Sequence, residues 1–255
     1  MSEPILRIEI KDGIAVLTMN RPGKRNAMCD ELLAAIDAFF SAPPADVKVA
    51  VLTGTEGHFC SGLDLGEHVS RDAEGTMRHS RNWHQVMDRI QFGGLPVVSA
   101  MFGAVIGGGL ELATSTHVRI AEPSTIFQLP EGRRGIYVGG GASVRVTRII
   151  GADRMVEMML TGRKYNAEQG LALGLTHYSV AKGGALPMAM DLARKIASNA
   201  PLSNYIMIQA LARIEDMSKA DGLFTESLCA AITQTSPDAV EGLAAFLEKR
   251  APSFR

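Results

Sequence analysis

A run of three glycines, Gly107–Gly109, stands directly before Leu110 and Glu111. The preceding residues, 96–102, predict a strand, and the glycines allow a tight turn that leaves room for a ligand. Because residues 110–114 predict the opening of a helix, the first amides of that helix should be unpaired donors at its positive end. Glu111 would share their face, about 4.5 Å along the axis from Gly108. A carboxylate beside anion-stabilising amides suits acyl chemistry.

Two other loops follow predicted strands. The segment 59–64 comes after the buried strand 47–53, at the carboxyl end, where α/β proteins bind ligands. Glu131 also follows a short strand, twenty residues after Glu111, and a hairpin-like return of the chain would bring the two carboxyl groups to one pocket. Two carboxyl groups whose pKa values are pushed apart can divide the roles of acid and base.

Composition narrows the function classes. A net charge of −1 gives no electrostatic reason to bind nucleic acid or an anionic membrane, so neither is expected as a partner. No run reaches the roughly 18 apolar residues of a membrane span. The three cysteines are few, odd in number and far apart, which argues against disulfides and a zinc site. With no signal-peptide pattern at the N-terminus, a cytoplasmic location is expected.

Hydrophobic periodicity predicts strands and helices that alternate in a β-β-α rhythm over residues 1–182. The rhythm begins with a hairpin whose turn is Asp12-Gly13. The polar stretch 67–80 has little periodicity and is expected to be mobile, whereas 82–90 predicts a helix. After Gly183 the strand signals stop, so residues 183–255 are expected to form a helical region whose short helices pack between subunits. Ser236 is expected to cap the last of these helices, with Pro237 in its first turn. The fold class is therefore α/β with a helical C-terminal region.

Five motifs in this order resemble those of the enoyl-CoA hydratase/isomerase (crotonase) superfamily, over nearly the whole chain. They are Asn20-Arg21-Pro22 with Asn26-Ala27, Phe59 to Leu65 as the F-x-x-G-x-D loop, Gly107 to Glu111 as the G-G-G-x-E turn, Pro130-Glu131 with Gly135, Gly139 and Gly141, and the ending Phe246 to Arg250.

The resemblance implies a spiral of β-β-α turns followed by helices that build a homotrimer, often paired into a homohexamer. It implies an oxyanion hole made by the backbone amides of Leu63 and Gly108, with Glu111 and Glu131 as the catalytic acids. The substrate would be an acyl-CoA thioester, with no permanently bound cofactor and no metal. The residues implied to lie along coenzyme A are Arg25, Ala27, Ser61, Gly62, Leu63, Asp64, Leu65 and Lys249.

The reaction implied is hydration of a 2,3-enoyl thioester through an enolate-like intermediate. Glu111 would take a proton from the attacking water, and Glu131 would protonate C2. Isomerases of the family commonly lack the first glutamate, so the presence of both favours a hydratase. Other reactions of the family stay open at this stage: hydrolysis of the thioester or of a carbon–carbon bond, or migration of the double bond. A non-catalytic scaffold or nucleic-acid-binding role is the remaining alternative.

The chain departs from the family pattern after Pro130-Glu131. Gly132-Arg133-Arg134 replaces apolar residues, and Val138 stands where many relatives have proline. These changes bear on acyl specificity. The two arginines are expected to face solvent or a neighbouring subunit, and a contact with a polar substrate is the alternative.

Other reactive side chains receive structural interpretations. Asp64 is predicted to hold its loop in place through backbone amides. His58 and His84 lack a second ligand at metal spacing, and Cys60 and Trp83 are interpreted as packing residues.

Overall fold

The computed structural model describes residues 3–67 and 69–254, which form nine β-strands and ten α-helices. The strands are β1 Leu6–Lys11, β2 Ile14–Met19, β3 Val49–Gly54, β4 Val97–Met101, β5 Ala104–Ile106, β6 Val118–Ala121, β7 Ile126–Gln128, β8 Tyr165–Asn166 and β9 Tyr178–Ser179. The helices are α1 Asp30–Ser41, α2 Ala73–Phe92, α3 Gly108–Thr114, α4 Ala142–Ile150, α5 Ala152–Thr161, α6 Ala167–Ala172, α7 Ala185–Ala197, α8 Pro201–Ile214, α9 Lys219–Gln234 and α10 Pro237–Leu247.

The larger sheet has the strand order β1-β2-β3-β4-β6-β9. Its first two strands form the predicted antiparallel hairpin, in which Asp12 and Gly13 take positive φ angles of 52° and 74°. From β2 to β9 the neighbouring strands run parallel. The α/β class is therefore confirmed, with one antiparallel strand at the edge.

The two faces of this sheet bury different sets of side chains. In β3, Val49 and Val51 face α7, whereas Ala50 and Leu52 join the main core together with α1 and α2. Helix α7 meets the sheet through buried alanines at every fourth position, Ala185, Ala189 and Ala193, which let its backbone approach closely. This helix lies beyond residue 182, so the first helix of the C-terminal region covers the sheet of the core. The division into two regions stays a prediction.

The smaller sheet, β5-β7-β8, carries the central turn. Strand β5 fits between Gly103 and Gly107, and so short a strand gave no periodic signal in the sequence. It runs parallel to β7, with Ile106 opposite Gln128. The expected hairpin-like return is therefore wrong. The chain crosses over through α3 and β6, and the parallel pairing brings the residues after β5 and after β7 to the same edge of the sheet.

Helix α2 is longer than the sequence predicted. It begins at Ala73, with the Asp72 side chain accepting a hydrogen bond from the Gly75 amide as its N-cap. The helix predicted over 82–90 thus extends back to residue 73, through part of the stretch that was expected to be mobile, while His68 lies outside the described residues. The buried residues of α2 begin at Trp83, which explains why its first turns showed no apolar periodicity.

Helices α8 to α10 have little of their surface covered within one chain. Helix α10 starts as predicted, with Ser236 accepting from the Ala239 amide as its cap. Among the described residues of these three helices, the buried ones are Asn204, Gly222 and Ala245. Exposed large apolar residues include Leu211, Leu223, Phe224, Leu228, Ile232, Val240, Leu243, Phe246 and Leu247. None of the helices in residues 3–67 and 69–254 combines the length and apolarity needed to cross a membrane.

Candidate active site

The loop after β3 lies alongside β5 and forms backbone hydrogen bonds with residues on both of its sides. The amide of Leu63 takes no part in these hydrogen bonds. A parallel bridge joins Met28 to Leu63: the Met28 amide donates to the Gly62 carbonyl at 2.7 Å, and the Asp64 amide donates to the Met28 carbonyl at 2.9 Å. In such a bridge the amide of the central residue points to the opposite side. The Leu63 N–H therefore faces away from Met28.

The Gly108 amide is the second donor at this place. Gly108 is the first residue of α3, where an amide has no partner inside the helix. A Cβ atom built on Gly108 would lie 3.5 Å from the Leu63 nitrogen and 2.7 Å from the Trp83 ring, and one on Gly62 would lie 3.2 Å from the Gly108 nitrogen. Neither the Leu63 nor the Gly108 amide donates a hydrogen bond within the described part of the chain. Two unpaired N–H groups thus lie side by side.

Glu111 is buried and firmly held. Its Oε1 accepts hydrogen bonds from the Gly140 amide at 2.8 Å and the Ala142 amide at 3.0 Å. Burial raises the pKa of Glu111, whereas these amides and the charge of Arg145 oppose the rise. The two donors favour the ionised form, so this carboxyl group is arranged to act as a proton acceptor.

Glu131 is buried in a different environment. Its Oε2 has no hydrogen-bond partner within residues 3–67 and 69–254. Burial raises the pKa of Glu131 to about 7, the charge of Glu111 adds to the rise, and the charge of Arg134 opposes it. A carboxyl group that is costly to ionise is suited to hold a proton and to donate it.

A cavity of about 220 Å³ contains all of these groups. Its lining includes Leu63, Gly108 and both glutamates, so the four predicted catalytic residues come together. Much of the remaining wall is apolar, with contributions from Ile106, Ile136, Val138 and the ring of Trp83. Trp83, interpreted from the sequence as a packing residue, is buried and also forms part of this wall.

A set of side chains that sequence reasoning missed holds the loop that carries the Glu111 donors. The Ser80 hydroxyl donates to the Gly139 carbonyl at 2.6 Å. The Arg145 guanidinium donates to the Gly140 carbonyl at 3.2 Å and is itself held by Gln91 and Asp88, each at 2.6 Å. The sequence signal that could have found this set is Arg145, one helical turn after the glycines. Its role depends on the contact between α2 and α4, which the sequence does not show.

Replacing Arg145 by Met should lower kcat by about tenfold to hundredfold, because the amides that hold Glu111 would lose their anchor. With Glu111 as the base proposed below, loss of the nearby cation raises the pKa of Glu111, so the acid limb of the pH–rate profile moves to higher pH. Arg148→Met, which removes an arginine from the same helix that pairs with Asp216, is the matched control. An unchanged profile in Arg145→Met would refute this positioning role.

Asp64 is held from several sides, in agreement with its predicted structural role. Its side chain is 5% exposed and pairs with Arg21 at 2.9 Å and Lys24 at 3.6 Å, while its Oδ1 accepts from the Gly66 amide at 3.0 Å. Burial raises the pKa of Asp64, but the hydrogen bonds from Arg21 and Gly66 and the charge of Lys24 outweigh it, so the pKa is lowered overall. Asp64 thus fastens the loop that carries the Leu63 amide.

Asp64→Asn should reduce the free energy of unfolding at pH 7 by about 2 kcal/mol. Because the folded-state pKa of Asp64 is below its unfolded value of about 3.9, its stabilisation is present above that value. The difference in the free energy of unfolding between wild type and variant should shrink as the pH falls through the folded-state pKa of Asp64. Chemical denaturation across this range measures it, with the exposed Asp46→Asn as control. A pH-independent difference would contradict the charge-pair explanation.

A second cavity adjoins the first and is strongly cationic. Of the residues predicted to lie along coenzyme A, Arg25, Ala27, Ser61, Leu63, Asp64 and Leu65 line it, and Gly62 lines the first cavity. Lys24, Arg133, Arg134 and Lys164 are also part of its lining. Lys249 follows α10 and is exposed, and it is not part of the lining of either cavity.

The other reactive side chains have structural surroundings. The His58 Nδ1 accepts from the Ala104 amide at 3.1 Å. Burial raises the pKa of the Cys60 thiol to about 12, so this group is a poor nucleophile. No cluster of three or more His, Cys, Asp or Glu side chains that could hold a metal ion occurs in the described ranges.

Comparison with known proteins gives consistent matches over almost the full length. The sequence pattern of the enoyl-CoA hydratase/isomerase family matches residues 9–255. The chain is 32% identical to 2,3-dehydroadipyl-CoA hydratase of Escherichia coli, covering 100% of this chain and 99% of that protein. It is 33% identical to the mitochondrial enoyl-CoA hydratase domain-containing protein 2 of Mus musculus, covering 95% of this chain and 84% of that protein. A solved structure from Rhodopseudomonas palustris, described as a candidate enoyl-CoA hydratase, superimposes with a TM-score of 0.94 at 43% identity, covering 98% and 97%.

Proposed function

Because the chain belongs to the enoyl-CoA hydratase/isomerase family, we propose that it hydrates a 2,3-unsaturated acyl-CoA thioester to the 3-hydroxyacyl-CoA. One observation carries this proposal. Two buried glutamates with contrasting surroundings line one cavity together with two unpaired backbone amides. This arrangement has a proton acceptor, a proton donor and a binding place for negative charge within reach of one small acyl group.

The thioester oxygen accepts hydrogen bonds from the amides of Leu63 and Gly108. Attack at C3 moves the electron pair of the double bond toward that oxygen, so the two donors bind the enolate more strongly than the substrate. Removing one such donor typically costs about 2.7–4 kcal/mol of transition-state stabilisation. Since both donors are backbone groups fixed by the bridge to Met28 and by the start of α3, they need no rearrangement during the reaction.

Glu111, as the carboxylate, takes a proton from water while the water oxygen bonds to C3. Glu131, as the neutral acid, gives its proton to C2. The cycle leaves Glu111 protonated and Glu131 ionised, and one proton exchanged through solvent restores the starting state. The contrast between two amide donors on Glu111 and an unpartnered oxygen on Glu131 supports this division of roles.

Coenzyme A would extend from the thioester into the second cavity. Lys24, Arg25, Arg133 and Lys164 surround that cavity, and cationic side chains are suited to the phosphates of the cofactor moiety. Ala27 is buried in the wall of this cavity and would contact the ligand through backbone groups rather than through a charged side chain. Lys249 is absent from both linings, so its contact with coenzyme A stays a prediction.

We also propose that α8, α9 and α10 form the contact between subunits of a homotrimer or a homohexamer. Phe224, Leu243 and Phe246 are 66%, 63% and 79% exposed in the single chain. Exposed apolar area of this extent marks an interaction surface. The mass of the particle in solution, measured by light scattering, distinguishes the two assemblies from a monomer. The expected cytoplasmic location stays a prediction.

The test of the reaction is incubation with a panel of enoyl-CoA thioesters, with the conjugated-double-bond absorbance and free thiol followed in parallel. Loss of absorbance without thiol release is the expected result. Thiol release would favour the second candidate, hydrolysis of the thioester, since the same two amides could bind a tetrahedral oxyanion. Absence of both signals across the panel, with an intact fold, would contradict the hydratase assignment.

A further inference from the structure

Arg134 lies at the end of a short 3₁₀-helix, Glu131–Arg134, that begins with the proposed acid. In a 3₁₀-helix the side chains at positions i and i+3 eclipse one another. Arg134 is therefore on the same face as Glu131. Both residues line the cavity that contains Glu111 and the two unpaired amides. Arg134 was predicted to face solvent or a neighbouring subunit; it is exposed, but at the mouth of this cavity.

Arg133 and Arg134 differ in what they contact. The Arg133 guanidinium donates to the Thr161 carbonyl at 2.8 Å. Arg133 lines the second cavity but not the first. Arg134 makes no hydrogen bond or ion pair within residues 3–67 and 69–254, and it lines both cavities. Its five N–H donors are thus uncommitted at the place where a substrate enters.

Arg134 is the sole lysine or arginine among the described residues that line the first cavity. Burial raises the pKa of Glu131 and the charge of Arg134 opposes the rise, but the two side chains form no ion pair. Apolar side chains of the same wall, including Trp83, Ile136 and Val138, suit apolar carbons. A ligand with an apolar segment and one anionic group near the cavity mouth would match both these side chains and Arg134.

We propose that Arg134 binds a carboxylate carried by the acyl group, so that the enzyme acts preferentially on enoyl-CoA thioesters with a second, free carboxylate. A guanidinium recognises a carboxylate through two parallel hydrogen bonds, which gives direction as well as attraction. This inference rests on the proposed function, because it places the acyl group in the cavity of the two glutamates.

The phosphates of coenzyme A are the other anions that could reach Arg134. They are separated from the sulfur by the whole pantetheine arm, whereas Arg134 shares a face with the residue proposed to protonate the carbon next to the thioester. Four other cationic residues, Lys24, Arg25, Arg133 and Lys164, line the second cavity without lining the first. The acyl carboxylate is therefore the partner that this position favours.

Binding of saturated thioesters, which lack the double bond that would be hydrated, tests the inference without the proposed reaction. Calorimetry would compare adipyl-CoA with hexanoyl-CoA, and succinyl-CoA with butyryl-CoA, so that each pair differs in the terminal carboxylate. Wild type should bind at least one carboxylate-ended ligand more tightly, and Arg134→Met should abolish that preference, a loss of about 10- to 100-fold in affinity. Arg134→Lys should retain part of it, and Arg133→Met should retain it fully.

Three results would overturn the inference. Wild type could show no preference in either pair, Arg134→Met could weaken both members of a pair equally, as a contact with coenzyme A phosphates predicts, or Arg133→Met could match Arg134→Met. Turnover of the corresponding unsaturated thioesters is measured separately. If the preference is present and no enoyl thioester is hydrated, the proposed reaction fails while the role of Arg134 stands.

Discussion

Glu131→Gln is expected to lower turnover at least about a hundredfold, because the amide cannot give a proton to C2. The change should leave the fold intact, since glutamine has the same size and Glu131 Oε2 makes no hydrogen bond that could be lost within the described residues. The pKa of Glu131 is raised to about 7, so ionising it weakens the folded state. The stability gained by the variant should therefore grow as the pH rises from the unfolded value, about 4.3, toward 7.

Steady-state kinetics and denaturation of the same preparations test this prediction. In wild type, kcat/KM should fall as the pH rises past about 7, because the proposed acid loses its proton. Glu122→Gln is the matched control, since Glu122 is also buried but lies outside both cavities. Near-wild-type turnover in Glu131→Gln would remove Glu131 from the mechanism.

The sequence was most informative where an element buries one face in a regular pattern. The hairpin turn at Asp12-Gly13, the buried strand β3 and the Ser236 cap of α10 were all predicted from local chemistry. Helix α2 was predicted too short because its early turns are solvated: Glu74 and Arg78, for example, form an exposed ion pair. A helix that buries residues only in its second half shows apolar periodicity only in that half of its sequence.

The site shows a similar division. The glycine turn before Glu111 indicated the donors and one carboxyl group, the short strand before Glu131 indicated the second carboxyl group, and the family motifs indicated Leu63. What brings Glu131 to Glu111 is the parallel pairing of β5 with β7, a long-range contact that no local pattern encodes. The same holds for Ser80 and Arg145, which act on the glycine loop only because α2, the loop and α4 meet in space.

These contacts bear on the opposite roles that we propose for the two glutamates of one cavity. Both carboxyl groups are desolvated, and burial alone would make both of them acids. The glycine loop opposes this for Glu111 by supplying two amide donors, although the pKa of Glu111 stays raised overall, while no donor reaches Glu131 Oε2 within the described ranges. In this proposal the difference between acid and base comes from the donors of residues 139–142 rather than from the glutamates themselves.

Glu111→Gln is the second substitution with a large expected effect, a decrease of about 10²- to 10⁴-fold in kcat. Its amide oxygen can still accept from Gly140 and Ala142, so the loop should keep its position while the base is lost. The acid limb of the pH–rate profile should disappear with it, whereas in Glu131→Gln the alkaline limb should disappear. Each variant therefore has a qualitative signature in addition to its rate.

The double variant Glu111→Gln/Glu131→Gln tests whether the two residues act as a unit. If water addition and C2 protonation belong to one coupled event, removing either glutamate already prevents it, and the double variant should be about as slow as the slower single one. Multiplicative losses would instead indicate two independent contributions.

Thiol release provides the last distinction: hydrolysis of a thioester needs no proton at C2, so a hydrolase would lose activity in Glu111→Gln and keep much of it in Glu131→Gln.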